Sequence, residues 1–518
     1  MPHLFCEYFE TALSFSFTRR AWGEQFDRSS LATADYFFAV RFSSEANGNP
    51  ETLARREPES GAPGRSNFTR AAHGAPMDEG TKLWVAANDG GMHGKTEHTY
   101  RKLPMNQPSK LNCDSKFRFQ ELRAMKKRIG IVFGTRPDAI KMAPVIFRLR
   151  KNADDFKTVA ISTGQHRQML DQVLRVFDVN ADLELDLMQH NQTLSDLTCR
   201  ILTALDRLLE QHPLDALLVQ GDTTTAFAAA LAAFYKKVPV AHVEAGLRSR
   251  DLFQPWPEEA NRRLAGIVAQ LHFAPTPLSR DNLLAEAVPS DEVVVTGNTI
   301  VDSVEMLVER EVIADQLPES VPDDGSRIVL VTSHRRESWG SELENICHAI
   351  LELIEAFPDT RVIYPVHLNP NVLGTVQTVL GRRDRVHLIP PVDYFQFLSL
   401  LRRCYLVLTD SGGVQEEAPI FHKPVLVLRK VTERPEASLL GMAKIVGTSR
   451  EVIVREASRL LSSEFAYQSM AAGDCPYGDG CAAERIATAL SRWFEGEVPV
   501  LHDSEQFQGA GNKEQVAA

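Results

Sequence analysis

Hydrophobic and polar positions settle into a regular rhythm only after about residue 125 of this 518-residue chain. From there, short apolar runs alternate with amphipathic stretches of helical period. The runs Ile129–Phe133, Thr158–Ser162, Ala216–Gln220, Pro239–Val243, Leu271–Ala274 and Val293–Val295 predict buried strands. Helices are expected between them, among others over Pro137–Arg150, His166–Phe177, Leu194–Glu210 and Thr224–Phe234. A break rich in Pro, Asp and Gly falls between Gln316 and Ser326. The alternation then resumes with Arg327–Thr332, Arg361–Val366, Val386–Ile389, Leu406–Thr409, Pro424–Leu428 and Lys444–Val446. Strand–helix alternation of this kind predicts parallel sheets with helices on both faces. The expected fold is therefore α/β: two doubly wound Rossmann-like domains facing across a cleft, over 125–322 and 323–498. The last helix is expected to pack back on the first domain, and 499–518 reads as a polar, disordered tail.

Residues 1–124 lack sustained periodicity, and Ser44 to Gly94 is rich in Gly, Pro, Ser, Asn and charge. That segment reads as disordered, as an upstream extension before a functional start at Met125, or as an accessory segment with its own partner. Composition narrows the class. With 43% hydrophobic and 24% charged residues the chain is typical of a globular enzyme. A net charge of −11 without a basic block argues against nucleic acid as a partner. No apolar run is long enough to span a membrane. The first residues carry Glu7 and Glu10 and no basic region, so they make a poor signal peptide. Seven scattered cysteines without paired spacing suggest reduced thiols in a cytoplasm.

Polar residues recur at the strand ends, where a doubly wound fold places its ligand. The stretch Asp410-Ser411-Gly412-Gly413 links an apolar strand to a helix carrying Glu416 and Glu417. Glycines and a helix start suit a phosphate, and the acids suit ribose hydroxyls. The same stretch is also compatible with an ordinary turn capped by Ser411. After the first strand, Gly134-Thr135-Arg136-Pro137-Asp138 and Lys141 offer two cations to an anion, or two solvated charges. Asp222 follows the third strand of the list above and equally suits a helix cap. Glu244 follows the next strand among apolar neighbours and needs a partner or a task. Glu258 starts a helix, where its charge also suits the dipole. His334, with Arg335 and Arg336, suits a diphosphate, while His367 equally fits a structural role. Arg434 adds a cation in the second half. There is no G-x-x-x-x-G-K-[ST] motif, no G-x-G-x-x-G after a strand and no metal-ligand cluster, so no cofactor is expected.

Together these motifs resemble the non-hydrolysing UDP-N-acetylglucosamine 2-epimerase family. The resemblance is carried by Phe133 to Pro144, Gly164 to Arg167, Gly221 to Thr225, His242 to Arg248 and Pro257 to Arg262. It continues through Gly297 to Thr299, His334 to Glu337, Pro365 to Asn371, Asp410 to Gly413 and Thr432 to Glu436. It covers about Met125 to Trp493 and none of 1–124. The resemblance implies a glycosyltransferase-B-like fold, a homodimer, and interconversion of UDP-N-acetylglucosamine and UDP-N-acetylmannosamine for surface polysaccharide. It implies contacts to UDP from Arg136, Lys141, Phe397, Ser411, Gly412, Gly413, Glu417 and Arg434. Asp222, Glu244, Glu258 and His334 would form the catalytic set, and Gln165 and His166 a second, regulatory site. Asp138 stands where the family usually has Glu, and Val392 where it often has Gln. A hydrolysing relative, a UDP-sugar transferase and a non-catalytic sensor are the rival readings; the three retained acids argue against the last.

Overall fold

The computed structural model describes residues 126–164, 173–187, 189, 192–335 and 338–510. The expectations for 1–124, for Met125 and for Gln165 and His166 lie outside these residues.

The first sheet is built from β1 (Lys127–Phe133), β2 (Phe156–Ser162), β3 (Leu183–Glu184), β4 (Ala216–Gln220), β5 (Val240–Val243), β6 (Leu271–Ala274) and β7 (Val293–Val295). Its order is β3-β2-β1-β4-β5-β6-β7, and every pair is parallel. The second comprises β8 (Arg327–Thr332), β9 (Thr360–Pro365), β10 (Val386–Ile389), β11 (Leu406–Thr409), β12 (Val425–Val427) and β13 (Ala443–Ile445). Its order is β10-β9-β8-β11-β12-β13, again all parallel. Six of these strands have the bounds read from the sequence, because their apolar runs end abruptly at Gly, Pro or polar turns. The edge strand β3 has two residues, too short for any periodicity to announce it.

Helices cross between the strands: α1 (Arg136–Lys151), α2 (Leu194–Gln211), α3 (Thr224–Tyr235), α4 (Glu258–Val268), α5 (Pro277–Ala285) and α6 (Thr299–Glu309). In the second half follow α7 (Ser341–Ala356), α8 (Pro370–Leu380), α9 (Tyr394–Arg403), α10 (Gly412–Glu417), α11 (Glu436–Leu439), α12 (Arg450–Ser462), α13 (Glu464–Ala471) and α14 (Ala482–Glu495). Their starts are chemically marked. Thr135 and Thr193 form capping boxes with Asp138 and Asp196, and Thr223 and Asn298 accept bonds from the first turns of α3 and α6. Among the described residues no helix is long and apolar enough to cross a membrane.

The helix α14 lies against α1 and α6 of the first half. Asp302 of α6 accepts the backbone N–H groups of Ala482 (3.2 Å) and Ala483 (2.8 Å) at its start. Burial raises the Asp302 carboxyl to about 7 despite those bonds. The expected disorder of 499–518 does not hold for its first twelve residues. Val500, Leu501 and Phe507 are buried, and the Phe507 N–H donates to the Val295 carbonyl at 2.9 Å on the edge strand β7. Three apolar side chains in a polar segment suffice to anchor it, a density too low for periodicity to reveal. Residues 511–518 lie outside the described residues.

Candidate active site

A cavity of about 510 Å³ lies where the carboxyl ends of the two sheets face each other. Arg136, Lys141, Asp222, Glu244, His334, Phe397, Ser411, Gly413, Glu417 and Arg434 all line it. The structure thus brings together ten of the twelve residues expected to bind or react. Glu258 and Gly412 do not line the cavity.

Gly412 has a use that its sequence context did not suggest. A Cβ at this position would lie 2.8 Å from Nη1 of Arg434 and 3.1 Å from Oε1 of Glu433. The missing side chain makes room for the Arg434–Glu433 ion pair; Gly413 has no neighbour within 4 Å. Ser411 occupies the cap position of α10 but makes no side-chain cap bond. Its backbone N–H is taken by the Thr409 hydroxyl at 2.9 Å.

Lys141 is the centre of a buried network that joins the two halves. Its ammonium contacts the Glu244 carboxylate and lies 2.9 Å from Glu416. Arg434 bonds both Glu416 and Glu433, and approaches Glu244 to 4.0 Å. Arg429 closes the set with a 3.0 Å bond to Glu433. Three cations thus balance three carboxylates, as buried charge requires. Burial raises Glu244, with Lys141 and Arg434 opposing that shift. Burial also acts on Glu416, but Arg434 and Lys141 outweigh it and leave that carboxyl lowered. Arg434 and Arg429 likewise outweigh burial at Glu433 and hold it at about 2. Glu244 sits in the left-handed region at φ 64°, an unusual posture for a glutamate that the ion pair and a 3.2 Å bond from Asn298 secure.

Asp222 is not the cap of α3; Thr223 is, accepting from the Ala226 N–H. Gly221, at φ 67°, turns the chain out of β4, and Asp222 pairs with Arg262 of α4. Arg262 is buried and also bonds Glu259 at 3.1 Å, while Asn261 donates to the Asp222 carbonyl at 3.0 Å. Glu258 begins the same helix. Burial raises its carboxyl, and the Asp222 charge adds to the rise. One of its oxygens is buried without a hydrogen-bond partner. Asp222 and Glu258 are thus electrostatic neighbours, Asp222 on the cavity wall and Glu258 outside its lining.

On the opposite wall Glu417 accepts a 2.9 Å bond from the Tyr394 hydroxyl. Burial lifts it to about 7. His334 stacks on His367, ring centroids 5.8 Å apart and planes 16° from parallel. Asp138 accepts the N–H groups of Gly134 (3.2 Å) and Thr135 (3.1 Å), shaping the turn that carries Arg136, and burial lifts it to about 6. Val392 lines the cavity beside Phe397.

A sequence model of the UDP-N-acetylglucosamine 2-epimerase family matches residues 148–491. The chain belongs to this family. It is the family that the motifs resemble, and the two-sheet α/β architecture is its fold. A Yersinia pestis UDP-N-acetylglucosamine 2-epimerase is 50% identical over 369 residues, covering 70% of this chain and 98% of the relative. A Neisseria meningitidis UDP-GlcNAc 2-epimerase solved bound to UDP-GlcNAc is 46% identical, with a TM-score of 0.67, covering 70% of this chain and all of that one. Staphylococcus aureus MnaA, solved with UDP, is 42% identical at a TM-score of 0.66, covering 74% and 99%.

Reading residues one at a time missed the supporting groups of this family site. Glu416 was read, with Glu417, as a partner for ribose hydroxyls, whereas it pairs with Lys141 and Arg434; Glu433 stands next to Arg434 and was assigned no role. Arg262 lies one helical turn beyond Glu258 and Glu259, a spacing that places it on their face. Asn298 stood in the Gly297 to Thr299 motif without an assigned role, and Tyr394, an aromatic at a helix start, gave no signal of its own.

Proposed function

We propose that this chain catalyses reversible C2 epimerisation of UDP-N-acetylglucosamine to UDP-N-acetylmannosamine without releasing the sugar. The observation that carries the reading is the arrangement of the cleft. Asp222 and Glu244 of the first half face Ser411, Gly413 and Glu417 of the second, with Arg136 and Lys141 between them.

The C2 hydrogen of the sugar is not adjacent to a carbonyl and is hardly acidic. Breaking the C1–O bond to UDP first creates an oxocarbenium-like centre that acidifies it. Loss of that proton gives a glycal, to which UDP adds back after the new C2 proton has arrived from the other face. Arg136, the Ser411 hydroxyl and the backbone at Gly413 support the departing diphosphate. Glu417 suits the ribose hydroxyls, and Phe397 the uracil. Asp222 and Glu258 handle the two protons: they are neighbours, and burial holds Glu258 closer to neutrality. Glu244, tied to Lys141 and Asn298, positions groups, and His334 assists UDP departure. The cleft between two sheets keeps UDP and glycal together.

The enzyme works as a homodimer. Ile267 of α4 is 78% exposed and Phe253 just before that helix 76%, beside exposed Phe234, Tyr235, Leu264 and Trp256. Such a patch suits a second copy. Ile267→Glu should convert a dimer to a monomer in sedimentation velocity; a monomeric parent protein would remove this part of the reading. The product is read as a precursor for surface polysaccharide, made in the cytoplasm. Separation of the reaction products by anion exchange tests the main claim. A UDP-linked epimer supports it, whereas free N-acetylmannosamine with UDP would make the enzyme a hydrolase.

A further inference from the structure

The Asp410 carboxylate is completely buried at the end of β11, directly beneath the loop that presents His334. Its two oxygens are used very unequally. Oδ2 accepts three bonds: from the Ser333 hydroxyl (3.1 Å), the His334 N–H (2.8 Å) and the Arg335 N–H (2.9 Å). Oδ1 accepts none, although no solvent reaches it. Nδ1 of the His334 imidazole lies 3.5 Å from it. A buried anionic oxygen without a donor is unfavourable, and a small rotation of the ring supplies one. The imidazole has room for it, since its side chain is 44% exposed on the cleft wall and its other face rests on His367.

We propose that Asp410 is the positioning residue of His334: its free oxygen draws the proton to Nδ1 and so fixes which ring nitrogen meets the substrate. The inference rests on the reading of His334 as a group that assists UDP departure. With Nδ1–H pointing at Asp410, Nε2 is the nitrogen turned to the cleft. The same bond holds the ring plane, and the carboxylate behind Nδ1–H makes Nε2 more basic, so Nε2 takes up a solvent proton and donates it to the diphosphate as UDP departs. Asp410 itself touches no substrate. Its backbone bonds to the 333–335 loop place the ring, and its spare oxygen orients it.

The conservative test is Asp410→Asn. The amide oxygen can keep the loop bonds on the Oδ2 side, but the NH₂ then faces Nδ1 and forces the proton to Nε2. Imidazole ¹⁵N NMR of the full chain, assigned by comparison with His334→Asn, reads the tautomer whether or not the protein turns over. Nδ1–H in the parent and Nε2–H in Asp410→Asn is the expected result. The same tautomer in both, or Nε2–H in the parent, overturns the proposal. In the epimerisation assay kcat should fall at least about 10²-fold with KM changed less than about 3-fold. His334→Asn with Asp410→Asn should be no slower than His334→Asn alone; losses that multiply mean that Asp410 acts independently of His334. If Asp410→Asn does not fold, the parent spectrum alone still decides the tautomer. A parent protein without epimerase activity but with Nδ1–H on His334 would refute the proposed function and leave this bond standing.

Discussion

Lys141→Met isolates the buried network on which the joint between the two halves depends. The ammonium it removes contacts Glu244 and lies 2.9 Å from Glu416, and all three side chains are less than 10% exposed. Removing one partner of a buried pair costs about 3–5 kcal/mol, because the other charge is stranded. Here the loss is moderated: Glu416 keeps Arg434, and Glu244 keeps the 3.2 Å bond from Asn298. The lower end, about 3 kcal/mol at pH 8, is therefore expected. The cost should depend on pH in a definite direction. Glu244 is already raised above its ordinary value of 4.5, and losing Lys141 raises it further. The folded variant then holds a proton that the unfolded chain has released, so its stability falls as pH rises above about 4.5. Each unit of pH across that window is worth up to about 1.4 kcal/mol. Urea unfolding followed by circular dichroism at pH 5 and pH 8 measures both effects. Lys141→Met with Glu244→Gln should recover about 1–2 kcal/mol at pH 8, since the stranded charge is gone. A cost below about 1 kcal/mol at pH 8, or one identical at the two pH values, would refute the argument.

Three further outcomes follow from the same structure. Asp222→Asn should lower kcat by about 10²–10⁴-fold while UDP affinity, measured by calorimetry, changes little, because the amide keeps a contact with Arg262 but cannot take a proton. Glu417 rises from 4.5 to about 7 on folding, so the parent protein loses stability as pH climbs through that window; Glu417→Gln should remove up to about 3 kcal/mol of this dependence in urea titrations. Deleting residues 499–518 removes the buried Val500, Leu501 and Phe507 and should cost at least about 5 kcal/mol of unfolding free energy, whereas a disordered tail would cost nothing.

Local chemistry made most of the fold legible. Strands such as β4 and β11 are apolar runs bounded by turn residues, and α2 and α3 begin where Thr193 and Thr223 cap them. The cleft was legible too, since polar residues at parallel strand ends must face one another. What the chain did not reveal are pairings between distant residues. Lys141 meets Glu416 across 275 positions, and no periodicity encodes that. The same holds for Asp410, which read as part of a turn, yet organises the loop of His334 from 76 residues away. Gly412 is a further case: the glycine was noticed in its turn, but the Arg434–Glu433 ion pair packed against it was not. The tail was misjudged because its composition is polar on average while three residues do the packing.

The most direct measurement is proton NMR of UDP-N-acetylglucosamine incubated with the protein in D₂O. The account predicts UDP-N-acetylmannosamine carrying deuterium at C2, with UDP still attached to the sugar pool. An epimer that retains its original C2 proton, or no conversion although UDP binds, would contradict it.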